Sequence, residues 1–201
     1  MKLYYSPAAC SLAPHIALRE AGLDFDLIKV DLATHTLEDG TDYYGINPKG
    51  PVPLLALENG DVIGEVAVIL QYIADQVPEK KLAPINGSME RVQLQEALNF
   101  IATEIHKGSG LFFNPHANDE IKNFYRSKLR NYYTIIDKQL TPTGWLIGEQ
   151  FSVADAYLFV MLNLSRFFQL NLGGLEAIAA FMHRMQGRPG VQAAIKAEGL
   201  A

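Results

Sequence analysis

The hydrophobic pattern changes period once along the chain, near residue 80, and that change limits the folds open to it. Before that point, short apolar runs of strand length alternate with a helical pattern: Met1–Tyr5, a helix over Ser11–Ala21, then Phe25–Val30. Strand, helix and strand in that order make a βαβ opening. After an irregular polar stretch, Pro53–Leu57 reads as a strand, Glu58-Asn59-Gly60-Asp61 as a hairpin turn and Val62-Ile63 as the returning strand. A helix is then expected from Glu65 to about Val77. The order β-α-β followed by β-β-α predicts a small α/β sandwich. Pro78 and the segment Lys80–Ser88, with Pro84 and Gly87, read as a linker.

From Ser88 onward the period is helical throughout, over Met89–Phe112, Asp119–Leu140, Ser152–Gln169, Leu175–Gln186 and Pro189–Ala197. The expected organisation is an α/β domain over residues 1–80, a linker over 81–87 and an all-helical domain over 88–201. No internal repeat points to an array architecture.

With 201 residues, 49% of them hydrophobic, the chain can bury a full core. A net charge of −5 argues against a nucleic-acid partner, which would require a basic patch. The densest basic run, Lys122–Lys138, interleaves cations with Phe124, Tyr125, Tyr132 and Tyr133, a pattern that the solvated face of an amphipathic helix explains. The longest apolar stretch, Ala154–Leu164, is broken by Asp155 and Asn163, so no membrane span is expected. One cysteine excludes an internal disulfide, and the start lacks a signal-peptide pattern, so a reducing cytoplasm is the expected location. His15, His35, His116 and His183 are scattered, and no metal site is expected.

That single cysteine, Cys10, stands where the first strand breaks through Ser6-Pro7 into helix. Unpaired backbone N–H groups and the positive end of the helix dipole favour a thiolate there, although a lone cysteine also serves as a small buried hydrophobe. Asn47-Pro48-Lys49-Gly50-Pro51-Val52-Pro53 crowds prolines before a strand. A cis Val52-Pro53 bond would turn the Val52 N–H and C=O toward a peptide-like ligand, and an ordinary proline turn is the alternative. Glu65 opens the next helix, where N–H groups bind a carboxylate and an acidic side chain holds an ammonium; any first-turn Glu also complements the dipole.

Asn99, Thr103 and His106 are spaced to share a helix face, with Lys107 beside them, as a cleft lining or a plain solvent stripe. His106 is a sensible partner for a thiolate. Phe151-Ser152-Val153-Ala154-Asp155-Ala156-Tyr157 reads as a structural capping box, with Ser152 as N-cap. The chain contains no Gly-x-Gly-x-x-Gly after a strand, no phosphate loop, no Gly-x-Ser-x-Gly elbow and no His-Glu-x-x-His.

In order and spacing, these segments resemble the glutathione transferases, most closely the bacterial beta class. The resemblance rests on Met1–Tyr5 leading to Ala9-Cys10-Ser11-Leu12, the Asn47 run, Glu65, Asn99–Lys107, the Phe151–Tyr157 box and the ending Ala197-Glu198-Gly199-Leu200. It implies a thioredoxin-like N-terminal domain, an all-helical C-terminal domain, and a homodimer with the active site in the cleft between domains. The implied activity is detoxifying transfer of the glutathione thiol to small electrophiles. Glutathione would be a co-substrate, no cofactor would be tightly bound, and thiol–disulfide exchange or peroxide reduction through Cys10 is a further implied route.

In that resemblance Cys10 and His106 are the catalytic groups, with Cys10 contacting the glutathione sulfur. Val52 would pair with the cysteinyl backbone, Glu65 and Val66 would hold the γ-glutamyl end, and His35 would face the glycyl carboxylate. Asn99, Thr103, Glu104 and Lys107 would complete the ligand contacts. Val66 stands where such enzymes commonly have serine, and His35 where a lysine is common, so weaker glutathione binding is expected. A non-catalytic ligand-binding or interaction protein of the same fold is the alternative reading.

Overall fold

The computed structural model describes residues 1–200. β1 (Lys2–Tyr5) buries three of its four residues because it is the middle strand of a five-stranded sheet ordered β3-β2-β1-β4-β5. It runs parallel to β2 (Asp26–Asp31) and antiparallel to β4 (Leu54–Ala56), which places Leu3 between Leu27 and Leu55. β5 (Val62–Gly64) returns along β4 as the hairpin pattern requires. The two-residue β3 (Thr36–Leu37) forms the other edge, inside the stretch read from sequence as irregular.

A parallel β1–β2 pair needs a crossover, and α1 (Leu12–Ala21) supplies it. Its C-cap, Gly22, sits at φ 71°, the left-handed conformation that ends a helix at least cost in glycine. α2 (Val66–Gln76) buries Val66, Ile69, Leu70 and Ile73, a stripe at i, i+3, i+4 and i+7.

The packing divides the described residues into Met1–Leu82 with Arg188–Leu200, and Ala83–Gly187. The last helix of the segment read from sequence as 88–201, α8 (Pro189–Ala197), packs with the first unit, against α1. Two polar pairs hold it there. Arg188 donates two bonds to Glu20, at 3.0 and 2.6 Å. His15 Nδ1 lies 2.8 Å from Glu198 Oε1, with both side chains fully buried. A Cβ on Gly190 would lie 2.6 Å from Glu20 Oε1, so a side chain there would have to push the Glu20 carboxylate aside. A helical pattern read locally carries none of these long-range contacts.

In the second unit, Ser88 caps α3 (Met89–Phe100) by accepting from the Arg91 N–H at 3.1 Å. The expected single helix over Met89–Phe112 then changes register. Ile101–His106 forms a π turn, followed by the short α4 (Lys107–Ser109) and a 3₁₀ turn over Gly110–Phe113. α5 (Asp119–Leu140) is capped by Asn118, and α7 (Glu176–Gln186) packs against it.

α6 (Val153–Leu164) is buried on every side from Val153 to Leu162, so no amphipathic stripe marks it. It ends five residues earlier than expected, with turns running to Gln169. Its first turn is closed by Asp155, which accepts from the Ser152 N–H at 2.7 Å, the Ser152 hydroxyl at 2.8 Å and the Leu146 N–H at 2.9 Å.

Candidate active site

In the first unit, the chain leaves β1 through Ser6 and turns into α1 at Ser11. The Ser11 hydroxyl closes the loop, accepting from the Ser6 N–H and donating to the Ser6 carbonyl, each at 3.2 Å. Ala8 holds φ 60°, a left-handed conformation that costs a non-glycine residue energy. Its N–H donates to Glu198 Oε2 at 3.2 Å. Thus the carboxylate that pairs with His15 also holds the loop carrying Cys10. Sequence reasoning missed both His15 and Glu198, because 183 residues separate them.

Val52-Pro53 is a cis peptide bond, as the alternative to a plain proline turn proposed. The loop before it is fastened at the Pro51 carbonyl, which accepts from Asn47 Nδ2 at 2.7 Å and from the Tyr43 hydroxyl at 3.1 Å. The Val52 carbonyl accepts a long bond, 3.4 Å, from Cys10 Sγ. Cys10 therefore faces the Val52 backbone, and one lone pair of the carbonyl expected to be open is engaged by the thiol.

The thiolate that the helix start favours is opposed by its surroundings. Burial pushes the Cys10 thiol up to about 12, and the nearby Glu65 charge raises it further; the N–H groups of Cys10 and Ser11 act in the opposite direction but are outweighed. The residue retains intermediate exposure, so a thiol with restricted access, and not an exposed anion, occupies the start of α1.

Glu65 is the N-cap of α2 at φ 67°, again left-handed, and its side chain makes no capping bond. Val66 is 5% exposed and belongs to the core, so a serine hydroxyl at this position would lie among apolar groups. The His35 ring stacks on Tyr44 with centroids 4.5 Å apart. Its Cδ2 and Nε2 lie 3.3 Å from where a Cβ on Gly50 would be, so the imidazole packs on the proline loop. A cavity of about 360 Å3 lies elsewhere in this unit, beside β2 and β3, and is lined by Ser6, Val30, Leu32 and Thr36 and by none of the predicted site residues.

In the second unit, Asn99 and Thr103 are exposed, and Thr103 Oγ1 donates to the Asn99 carbonyl at 3.0 Å, so the two share a face as the spacing predicted. Lys107 is also exposed. His106 is half-buried at the end of the π turn, its Nδ1 2.7 Å from the Tyr157 hydroxyl. Tyr157 lay in the capping motif, and its polar end gave no separate signal. Glu104 turns toward α5, where it accepts from the Tyr132 hydroxyl at 2.6 Å and pairs with Lys128 at 3.4 Å. Those two partners, Tyr132 first, hold its carboxyl below the usual range. Among the described residues no three His, Cys, Asp or Glu side chains group as a metal site, and no helix is long and apolar enough to cross a membrane.

Residues 8–76 match the glutathione S-transferase N-terminal domain, and residues 100–189 match its C-terminal domain. The full chain is 49% identical to the glutathione S-transferase GstA of Escherichia coli O157:H7, each covered completely. This chain belongs to the glutathione S-transferase family. A second curated glutathione S-transferase, GST-4.5 of Xanthomonas campestris pv. campestris, is 39% identical with both chains fully covered. Among solved structures, the ternary complex of BphK, a bacterial family member, superposes with a TM-score of 0.97 at 51% identity over both whole chains. A beta-class transferase of Sphingomonas chungbukensis matches with a TM-score of 0.95 at 45% identity, again over both whole chains. A sphingomonad transferase complexed with glutathione matches equally well, at 0.95 and 45%. The thioredoxin-like domain and helical domain expected from sequence are those of this family.

Proposed function

We propose that this transferase joins the thiol of glutathione to small electrophiles, with glutathione held at Cys10, Val52 and Glu65. The observation that carries the reading is local: Cys10 Sγ lies 3.4 Å from the carbonyl of the residue preceding a cis proline, with Glu65 at the start of α2 as an acidic neighbour of the thiol. The Val52 carbonyl, released by the thiol, accepts from the cysteinyl N–H of glutathione. The Glu65 carboxylate binds the ligand's α-ammonium, and the N–H groups opening α2, that of Val66 among them, bind its α-carboxylate. His35 offers its ring to the glycyl end.

The chemistry requires the glutathione sulfur as an anion. N–H groups at the start of α1 donate toward it, and the Cys10 S–H turns from the Val52 carbonyl to do the same, lowering its pKa. Family resemblance adds His106 as a further donor, and Asn99, Thr103 and Lys107 as further ligand contacts. The thiolate attacks the electrophilic carbon, the carbon–sulfur bond forms, and the leaving group departs with its electron pair. Glu104 takes a supporting part, holding the π-turn segment to α5.

Disulfide exchange or peroxide reduction through Cys10 is the secondary reading. It needs Cys10 as a thiolate, which burial opposes in the free protein. We further propose a homodimer. Exposed Val62 and Val68 in the first unit, and Ile85, Met89 and Val92 in the second, offer apolar surface to a second copy. A cytoplasmic setting, where glutathione is reduced, completes the reading.

Steady-state conjugation of glutathione to 1-chloro-2,4-dinitrobenzene tests it. The wild type is expected to accelerate the reaction, Cys10→Ser to keep most of the rate because its hydroxyl still donates, and Cys10→Ala to lose roughly tenfold, about one hydrogen bond to a charged group. Absence of acceleration by the wild type, together with no retention on immobilised glutathione, would favour a binding protein of the same fold.

A further inference from the structure

The loop that leads to Val52 is built around one side chain. Asn47 engages its backbone on both sides: its N–H donates to the Tyr43 carbonyl at 2.8 Å, and its carbonyl accepts from the Gly50 N–H at 2.8 Å. Its Oδ1 accepts from the Lys49 N–H at 3.2 Å. Its Nδ2 donates to the Pro51 carbonyl at 2.7 Å and lies 3.4 Å from the Tyr43 hydroxyl, which donates to the same carbonyl at 3.1 Å. Both residues are buried. Burial raises the Tyr43 phenol above its ordinary pKa, so it stays an O–H donor at neutral pH. The loop closes through Gly50 at φ 83°, in the left-handed region that favours glycine.

The two side-chain donors meet on one peptide unit, and its other edge is unpaired. The Pro51 carbonyl and the Val52 N–H share a planar trans peptide, with oxygen and hydrogen on opposite edges. A carbonyl drawn toward Asn47 and Tyr43 therefore turns the Val52 N–H away from them. That N–H makes no hydrogen bond among the described residues, although Val52 is only 7% exposed. A buried donor without a partner is uncommon in a folded protein, and it calls for an acceptor from outside the chain. It belongs to the same residue whose carbonyl the Cys10 thiol meets at 3.4 Å.

Resting on the functional reading above, we propose that Asn47 and Tyr43 are positioning residues of the glutathione site: by holding the Pro51 carbonyl they aim the Val52 N–H at the cysteinyl carbonyl of glutathione. The ligand supplies the acceptor that the chain lacks. Neither side chain touches the ligand or the reacting atoms, so both act on affinity and not on the chemical step. Asn47 takes the larger share, because its bond to Pro51 is the shorter and because it also shapes the turn through Lys49 and Gly50.

Backbone NMR of the whole 15N-labelled protein and conjugation kinetics test this together. Asn47→Asp keeps the acceptor for the Lys49 N–H and loses the donor to Pro51; Tyr43→Phe keeps the buried ring and loses only the hydroxyl. In weakly aligned, ligand-free protein the N–H residual dipolar coupling of Val52 should change in Asn47→Asp, and less in Tyr43→Phe, while the couplings in α1 and α2 keep their wild-type values. KM for glutathione should rise about tenfold in Asn47→Asp and roughly threefold in Tyr43→Phe, with kcat at saturating glutathione within about twofold. A role in packing alone would lower thermal stability and leave the Val52 coupling as it is. The proposal is overturned by a folded Asn47→Asp with the wild-type Val52 coupling or the wild-type KM; should that variant not fold, the same result in Tyr43→Phe overturns it. In the wild type, glutathione should move the Val52 amide proton downfield. Conjugation without that shift overturns the proposed pairing and leaves the functional reading standing. A wild type that neither conjugates nor shifts overturns the functional reading, while the couplings still decide whether Asn47 and Tyr43 hold this peptide.

Discussion

The start of α6 and the starts of α1 and α2 solve the same problem in opposite ways. Every α-helix begins with backbone N–H groups that lack partners within it. At α6 the Asp155 carboxylate and Ser152 close the turn in a fully buried capping box. At α1 and α2, Ser11 and Glu65 make no side-chain capping bond. The lack of a side-chain cap is not a signature in itself, since α7 and α8 share it. What sets α1 and α2 apart is the backbone around them: left-handed Ala8 and Glu65, and the cis proline beside Cys10. One helix start is closed to build a core, and two hold the ligand in the function proposed above.

The sharpest way to break this contrast is at Cys10. If the N–H groups opening α1 governed its thiol, Cys10 would be ionised near neutrality; because burial wins, it stays protonated, pushed up to about 12. Alkylation of the ligand-free protein by iodoacetamide at pH 7.5 should therefore run roughly a hundred- to a thousandfold slower than that of a free thiol, and should still be rising with pH at 10. A rate plateau below pH 8 would restore the thiolate.

The closed start predicts the next largest effect. Asp155→Ala removes three bonds to a buried carboxylate and leaves the Ser152 and Leu146 N–H groups without them, costing about 3 kcal/mol in urea unfolding. Glutathione KM should not change in the molecules that remain folded. At the open start of α2, Glu65→Gln should leave stability within about 1 kcal/mol and raise KM for glutathione at least tenfold, the cost of one charge-assisted bond. If the two substitutions exchanged their effects, the division between structural and ligand-binding helix starts would fail.

These regions also differ in how far they could be read from sequence. The capping box was legible because Ser152 and Asp155 are three residues apart and fulfil each other locally. α5 and α8 keep the expected bounds, Asp119–Leu140 and Pro189–Ala197, because Asn118 and Pro189 mark their starts. The Val52-Pro53 turn announced itself by its crowd of prolines, and the grouping of Cys10 and Glu65 with His106 rests on family resemblance alone.

What was illegible is long-range. The state of the Cys10 thiol depends on what buries it, and the local dipole argument alone gives the wrong sign. α8 looks like a member of the helical domain until the Arg188–Glu20 and His15–Glu198 pairs place it against α1. β3 is two residues long and is shaped by its pairing with Val30 and Asp31. The π turn escapes because Ile101 and Ile105 keep an ordinary i, i+4 spacing through it. Val66 is a departure with a physical reason, since its side chain is core.

The most direct test follows the backbone amides themselves. Transverse-relaxation-optimised NMR of 15N-labelled protein, titrated with glutathione, should show its largest amide shifts at residues 9–12 and 65–68, where α1 and α2 open. The capped starts of α5 and α6, at residues 118–121 and 152–155, should remain still. Shifts as large at the capped starts, or none at α1 and α2 under saturating glutathione, would contradict the account.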